Sequence, residues 1–160
     1  MTTIAIVYHS GYGHTQHQAN AIFEGINKLE NTNAIIYTCD EAIEKLDALD
    51  EVDGIIFGSP TYMGSMSAEM KKFVEAASKK WFTQSWKDKV AGVFTNSTSF
   101  SGDKLNTLSG LMIQAMQHSM IFIGTGIMPA ANKQEEFEQS HGPGPDALNR
   151  VGSFLSLIHI

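Results

Sequence analysis

Apolar positions along the chain fall into short continuous runs separated by amphipathic stretches and polar loops. Ile4-Ala5-Ile6-Val7-Tyr8 is too short for a helix and rich in strand-forming side chains, so it predicts a strand buried on both faces, as in parallel sheets. After it, Ala19, Ile22, Phe23, Ile26 and Leu29 recur at helical spacing and predict an amphipathic helix broken by Asn31-Thr32-Asn33. Ala34-Ile35-Ile36-Tyr37 predicts a second strand, and the acidic stretch 40–50, with Ala42, Ile43, Leu46 and Leu49 on one face, a second helix. Gly54-Ile55-Ile56-Phe57-Gly58 is the third strand. Met70, Phe73, Val74 and Ala77 place a helix over about 67–78, and Lys79 to Trp86 reads as a connector. Val90-Ala91-Gly92-Val93-Phe94 is a fourth strand, Leu105, Leu108, Leu111, Met112, Ala115 and Met116 stripe another helix, and Ile121-Phe122-Ile123 is the fifth strand. An irregular stretch rich in Gly, Pro, Asn and Glu then runs to Pro145, and a last helix is expected from about Asp146.

Strand alternates with helix throughout, which with right-handed crossovers predicts an α/β fold, a parallel sheet with helices on both faces; the expected form is an open, doubly wound five-stranded sheet of order 2-1-3-4-5. At 160 residues the chain reads as a single domain over 1–160, with enough material for an ordinary core. Apolar residues at 42% and charged residues at 18% fit a globular protein, and the net charge of -6 argues against a nucleic-acid partner, which wants a basic face. The lone Cys39 can form no internal disulfide, and the N-terminus has no charged start followed by a long apolar run, so a reducing cytoplasm is the expected setting. No window supplies the roughly 18 apolar residues of a membrane span.

Chemistry concentrates in the loops that follow strands one, three and four: Ser10-Gly11-Tyr12-Gly13-His14-Thr15, Ser59-Pro60-Thr61-Tyr62-Met63-Gly64-Ser65-Met66, and Thr95-Asn96-Ser97-Thr98-Ser99-Phe100-Ser101-Gly102. In the expected strand order they meet at the switch point where such sheets bind ligands. Glycines in the first loop let backbone N–H groups converge, hydroxyls add donors, and the next helix offers its positive end, a combination suited to a phosphate. The loop contains neither Lys nor Arg, so dipoles and hydrogen bonds would hold the anion. It is not a P-loop, which needs Lys then Ser or Thr after its last glycine. Nor is it the dinucleotide fingerprint, because Gln16 stands at the third glycine and the second strand ends without an acidic residue before Asp40. No metal site is assigned.

Taken together, Tyr8-His9-Ser10-Gly11-Tyr12-Gly13-His14-Thr15 and Gly58-Ser59-Pro60-Thr61-Tyr62 resemble the flavodoxin-like FMN proteins, and within them the WrbA-type NAD(P)H:quinone oxidoreductases. The likeness continues through Met70-Lys71-Lys72-Phe73, Trp81, Lys89 to Thr95 and His118 to Gly124. It implies a flavodoxin-like fold in which Ser10, Tyr12, Gly13, His14 and Thr15 hold the FMN phosphate. Pro60, Thr61, Tyr62, Met63 and Gly64 would border one side of the isoalloxazine ring, and Thr95, Asn96, Ser97, Thr98 and Gly102 the other. Trp81, Phe100 and Ser101 would lie toward the substrate, with Trp81 read either as contributed by a neighbouring subunit or, more plainly, as covering the core. The resemblance further implies NADH or NADPH as electron donor, a quinone as acceptor, two-electron transfer through the flavin with no side-chain nucleophile, and a homodimer or homotetramer. A flavodoxin-like one-electron carrier and a non-enzymatic FMN-binding module are the alternatives.

The chain departs from the family at specific places. Ser101 stands where a histidine commonly faces the substrate, and Tyr62-Met63 replace an arginine and an aromatic, which leaves the choice of nicotinamide open. His14 reads either as a charge for the phosphate or as a solvated helix-start residue. Trp86, His118 and the Met112, Met116, Met120 series read as structural or core positions, His9 as serving the strand end, and Cys39 as inert. The apolar ending Ser153 to Ile160 reads as docking against another subunit or as an altered end.

Overall fold

The computed structural model of the chain describes residues 1–130, 148–149, 152–155 and 158–159. The five expected strands form one parallel path: β1 (Thr2–Tyr8), β2 (Thr32–Thr38), β3 (Gly54–Tyr62), β5 (Val90–Asn96) and β6 (Ile121–Phe122), in the order β2-β1-β3-β5-β6. Two short strands lie off that path. β4 (Ser65–Met66) folds back antiparallel on the end of β3, and β7 (Ile158–His159) runs parallel to the last residues of β5. Without β4 the path is the predicted 2-1-3-4-5 order. The fold is flavodoxin-like.

Alternation along the strands sorts the core into two layers. Ile6 and Tyr8 of β1 face α1 (His14–Asn27), where Ala19, Ile22, Phe23 and Ile26 pack with Phe94. Ala5 and Val7 point to the other face, against α2 (Cys39–Glu44), α3 (Ala68–Ala76) and α5 (Lys104–Gln117), through Ala42, Met70, Phe73, Leu108 and Leu111. The centre of that layer is aromatic. Phe73 stacks on Trp86 with centroids 6.3 Å apart, and Trp86 stacks on His118 at 4.4 Å. The indole N–H of Trp86 donates to Asp50 at 3.0 Å, giving the fully buried ring its polar partner.

Several element boundaries differ from the pattern's prediction, each for a local reason. α1 stops at Asn27, leaving Leu29 62% exposed, because the Thr32 hydroxyl donates to the carbonyls of Ile26 and Leu29 and the Asn27 amide oxygen accepts from Ala34 N–H. The acidic helix is divided into α2, opened by a Thr38–Glu41 capping box, and a 3-10 turn at Leu46–Asp50. The expected connector contains a helix, α4 (Ser78–Thr83), closed by Gln84 in the left-handed conformation. Ile123 lies beyond the last strand residue, and Met116 is exposed rather than in the core. The helix expected near Asp146 falls mostly outside the described residues. Leu148 and Asn149 form a turn, and the buried Asn149 side chain donates to the Ile127 carbonyl and accepts from Ser153 N–H.

His118 ties this core to pH. Burial against Trp86 drives its pKa from 6.5 down to about 4, so the folded chain holds it neutral while the unfolded chain protonates it more readily. A depressed imidazole pKa contributes stability that is complete above the unfolded value and is lost as pH falls toward the folded one. Urea midpoints should therefore fall between pH 6.5 and about 4, and His118→Leu should flatten that dependence; an unchanged slope in the variant would contradict the assignment.

Candidate functional site

The carboxyl ends of β1, β3 and β5 bring the three polar loops to one edge of the sheet. His9 N–H donates to the Gly58 carbonyl at 3.0 Å, joining the first loop to β3 as the chains leave the sheet. Gly13 adopts φ 88 at the entrance to α1, a left-handed conformation that suits glycine, and no side chain caps the helix there. The N–H groups of the first turn of α1 are thus left facing the loop. Among the described residues the Ser10 hydroxyl is buried with no hydrogen-bond partner. Thr15, also buried, accepts through its hydroxyl oxygen from Asn96 Nδ2 at 2.9 Å and keeps its own proton to donate. An orphaned serine hydroxyl, a threonine hydroxyl and uncapped helix N–H groups fit a phosphate in kind and position. Tyr12 and His14 lie exposed at the rim.

The second loop is a tight hairpin. Met63 and Gly64 both have positive φ, 47 and 80, as a two-residue turn between Tyr62 and Ser65 requires. Asn106 Nδ2 donates to the Gly64 carbonyl at 2.7 Å, pinning the hairpin tip to α5, while the Met63 side chain is fully exposed. Tyr62 leans back over the first loop. Gly11 N–H lies near its hydroxyl oxygen, and a Cβ at Gly11 would stand 2.5 Å from that oxygen. Burial raises the Tyr62 phenol pKa, the nearby Tyr12 adds to the rise, and the Gly11 N–H partly offsets it.

Buried hydroxyls tie the second and third loops together. Thr61 donates to Thr107 of α5 at 2.8 Å and shares a 2.8 Å bond with Thr95 at the end of β5; with its one proton committed to Thr107, it accepts from Thr95. Asn96 spans to the first loop, donating to Thr15 and, at 2.8 Å, to Gln18 Oε1. Ser59 Oγ accepts from Ser67 N–H at 2.9 Å, and the Ser67 hydroxyl in turn caps α3. The remaining third-loop residues run from Ser97 and Thr98 to Gly102, which has φ 52.

The expected substrate-side residues lie in two places. Phe100, 82% exposed, and Ser101 stand on the outer curve of the third loop. Trp81 lies on α4, 47% exposed, where its carbonyl accepts from Gln84, whose amide also reaches Gln117 at the far end of α5. Within one chain it sits at the opposite end of the sheet from the loops. Trp86 is a core residue. Cys39 is buried, its thiol pushed up to about 12 by burial with Asp40 and Glu69 adding, so it holds no thiolate at neutral pH.

Sequence reasoning passed over four side chains that the fold commits to this edge: Gln18, Asn106, Thr107 and Lys104. Gln18 and Thr107 lie one helical turn inside α1 and α5, at positions that read as parts of an amphipathic face. Lys104 is 1% exposed and turns into the third loop, donating to Ser97 Oγ at 2.9 Å and to the Ser99 carbonyl at 2.5 Å.

Known proteins bear on this geometry. Residues 10–135 match the family model described as NADPH-dependent FMN reductase. The chain is 42% identical over 132 residues to the flavodoxin FldP of Pseudomonas aeruginosa (strain UCBPP-PA14), covering 81% of this chain and 70% of that one. It is 32% identical over 143 residues to the quinone-oxidoreductase QR2 of Triphysaria versicolor, covering 78% of this chain and 70% of that one. Among solved structures, the flavodoxin, WrbA-like protein from Agrobacterium tumefaciens superposes with a TM-score of 0.68 at 46% identity, covering 76% of each chain.

Because the Thr61 hydroxyl has one proton and sends it to Thr107, Thr107→Val should strand a buried donor. The expected loss is about 1–3 kcal/mol in urea unfolding with an unchanged denaturant slope; wild-type stability would mean that the Thr61–Thr107 bond contributes nothing.

Proposed function

This chain belongs to the NADPH-dependent FMN reductase family, and we propose that it is an FMN-dependent oxidoreductase carrying two electrons from NADH or NADPH to a quinone. The observation that carries the reading is the convergence of the partnerless Ser10 hydroxyl, the buried Thr15 and the uncapped start of α1 beside two loops of small and polar residues. That arrangement suits a phosphate joined to a flat heterocycle. FMN, when bound, supplies the hydride chemistry, and the protein contributes binding, orientation and charge.

In this reading Ser10, Thr15 and the N–H groups at Gly13 and His14 hold the phosphate, while Tyr12 covers it from the rim. Pro60, Thr61, Tyr62, Met63 and Gly64 border the ring on one side. Thr95, Asn96, Ser97, Thr98 and Gly102 border the other and offer backbone and hydroxyl donors to its polar edge. The Thr95–Thr61–Thr107 bonds fix the distance between these walls. Phe100 and Ser101 lie on the outer loop where nicotinamide and quinone would enter in turn. A second chain bringing a residue such as Trp81 over the opening would complete the pocket, which is why we favour a homo-oligomer. Among the described residues no helix is long and apolar enough to cross a membrane, and the lone buried Cys39 suits a reducing cytoplasm.

Similarity to a protein named flavodoxin at 42% identity favours a second reading, a one-electron carrier using the same site. Reconstitution with FMN followed by NADPH and benzoquinone separates the two. Bleaching of the flavin absorbance by NADPH, with steady quinone turnover, is expected; bound FMN that NADPH leaves oxidised would favour the carrier, and absence of FMN binding would end both. Thr15→Ala should weaken FMN binding by roughly 1–3 kcal/mol in a fluorescence titration, the scale of one lost hydrogen bond to a charged acceptor. Unchanged affinity would place the phosphate elsewhere.

A further inference from the structure

Lys104 is in a place where an ammonium is hard to account for by stability. It is 1% exposed, and among the described residues no carboxylate lies within ion-pair distance of it. It is also the first residue of α5, at the positive end of the helix dipole, where a cation is disfavoured. Its acidic neighbour Asp103 faces away, the carboxylate lying toward Gly64 of the hairpin. Burial accordingly lowers the Lys104 pKa below its ordinary value. A buried cation without a counter-charge costs several kcal/mol, so its retention calls for a use.

Its contacts indicate that use. The ammonium donates to Ser97 Oγ and to the Ser99 carbonyl, and the Ser97 hydroxyl donates to the same carbonyl at 3.0 Å, closing a small ring of bonds inside the third loop. Two of the three ammonium protons thus have acceptors within the loop. The charge lies directly behind the wall that, in the proposed function, borders the polar edge of the flavin. A flavin becomes more negative on that edge when it takes up two electrons, and the loops around it contain no other Lys or Arg.

We propose that Lys104 is a positioning residue that sets the third loop through Ser97 and Ser99 and supplies the positive charge by which the site prefers reduced over oxidised flavin. This rests on the reading of the site as a flavin site. Lys104 touches neither the reacting atoms nor the solvent; it acts through the loop and through its field. The side chain is 1% exposed, so solvent screens this field less than it would that of a surface charge.

The test compares wild type with Lys104→Gln, Lys104→Met and Lys104→Arg, measuring the Kd of oxidised FMN by fluorescence quenching and the two-electron midpoint potential of the bound flavin by anaerobic dye-coupled titration. Lys104→Gln retains N–H donors for Ser97 and Ser99 without the charge, so a brace alone would survive it. The expected result is that Lys104→Gln binds oxidised FMN much as wild type does but loses about tenfold of the preference for the reduced form, a potential lower by about 30 mV. Lys104→Arg should hold the wild-type potential, and Lys104→Met should match Lys104→Gln or bind oxidised FMN more weakly as well. A wild-type potential in Lys104→Gln, or an equal drop in Lys104→Arg, would overturn the proposal; should Lys104→Met fail to fold, the Gln and Arg variants still decide it. Failure of the wild type to bind FMN would instead remove the flavin reading and this inference with it.

Discussion

Buried hydroxyl-to-hydroxyl bonding at the carboxyl edge of the sheet is the constraint on which the site depends. Parallel strands end in loops whose backbones have no further ladder partners, and these loops must be held without filling the crevice between them. Thr61, Thr95 and Thr107 meet this demand with small side chains bonded in series, joining β3, β5 and α5. Asn96 extends the chain of contacts to Thr15 and Gln18 of α1, so the three loops form one connected polar unit. An apolar clamp in the same place would have needed bulkier residues and would have offered no donors to a ligand. Buried polar networks are worth having only when their members are satisfied; among the described residues the Ser10 hydroxyl and His9 Nδ1 have no partner, and Ser10 lies at the mouth where an anion would come.

Electrostatics at this edge follow from the same economy of side chains. The chain carries a net charge of -6, and the loops lack an exposed Lys or Arg, so attraction of an anion must come from oriented N–H groups and short-range donors. The αL conformation of Gly13 frees the start of α1 for that role, and Gly11 gives Tyr62 room to lie across the loop. Lys104 is the exception, a cation placed inside the wall rather than on its surface. In the proposed reading hydrogen bonds would select the phosphate, and a buried charge would serve the ring side. The core beneath is held independently, by aromatic stacking around Trp86 and by Asp50, which receives both Lys80 and the Trp86 indole.

Much of this was legible in the sequence because the signals were periodic or local. Short β-branched runs between amphipathic stripes marked the strands and helices, and glycine and hydroxyl residues after strands one, three and four marked the edge where the loops meet. What the pattern could not carry was side-chain direction at helix starts. Lys104 and Thr107 lie in the first turn of α5, outside its apolar stripe, yet both are buried. α4 was hidden in Lys79 to Trp86 because a six-residue helix has too few turns to show a stripe. The early end of α1 arose from Thr32 capping carbonyls six and three residues back, a tertiary event that overrides the apolar Leu29. Trp81, drawn toward the pocket by resemblance, lies at the other end of the sheet within one chain, and only a second chain could bring it to the opening.

In the proposed reading three loops, far apart in sequence, act as one ligand site. Backbone amide NMR of the labelled protein during an FMN titration tests it most directly. Resonances at 10–15, 61–64 and 95–102 are expected to shift together, with one common saturation point, while those of α4 stay in place. Shifts confined to a single loop, or largest around α4, would contradict it.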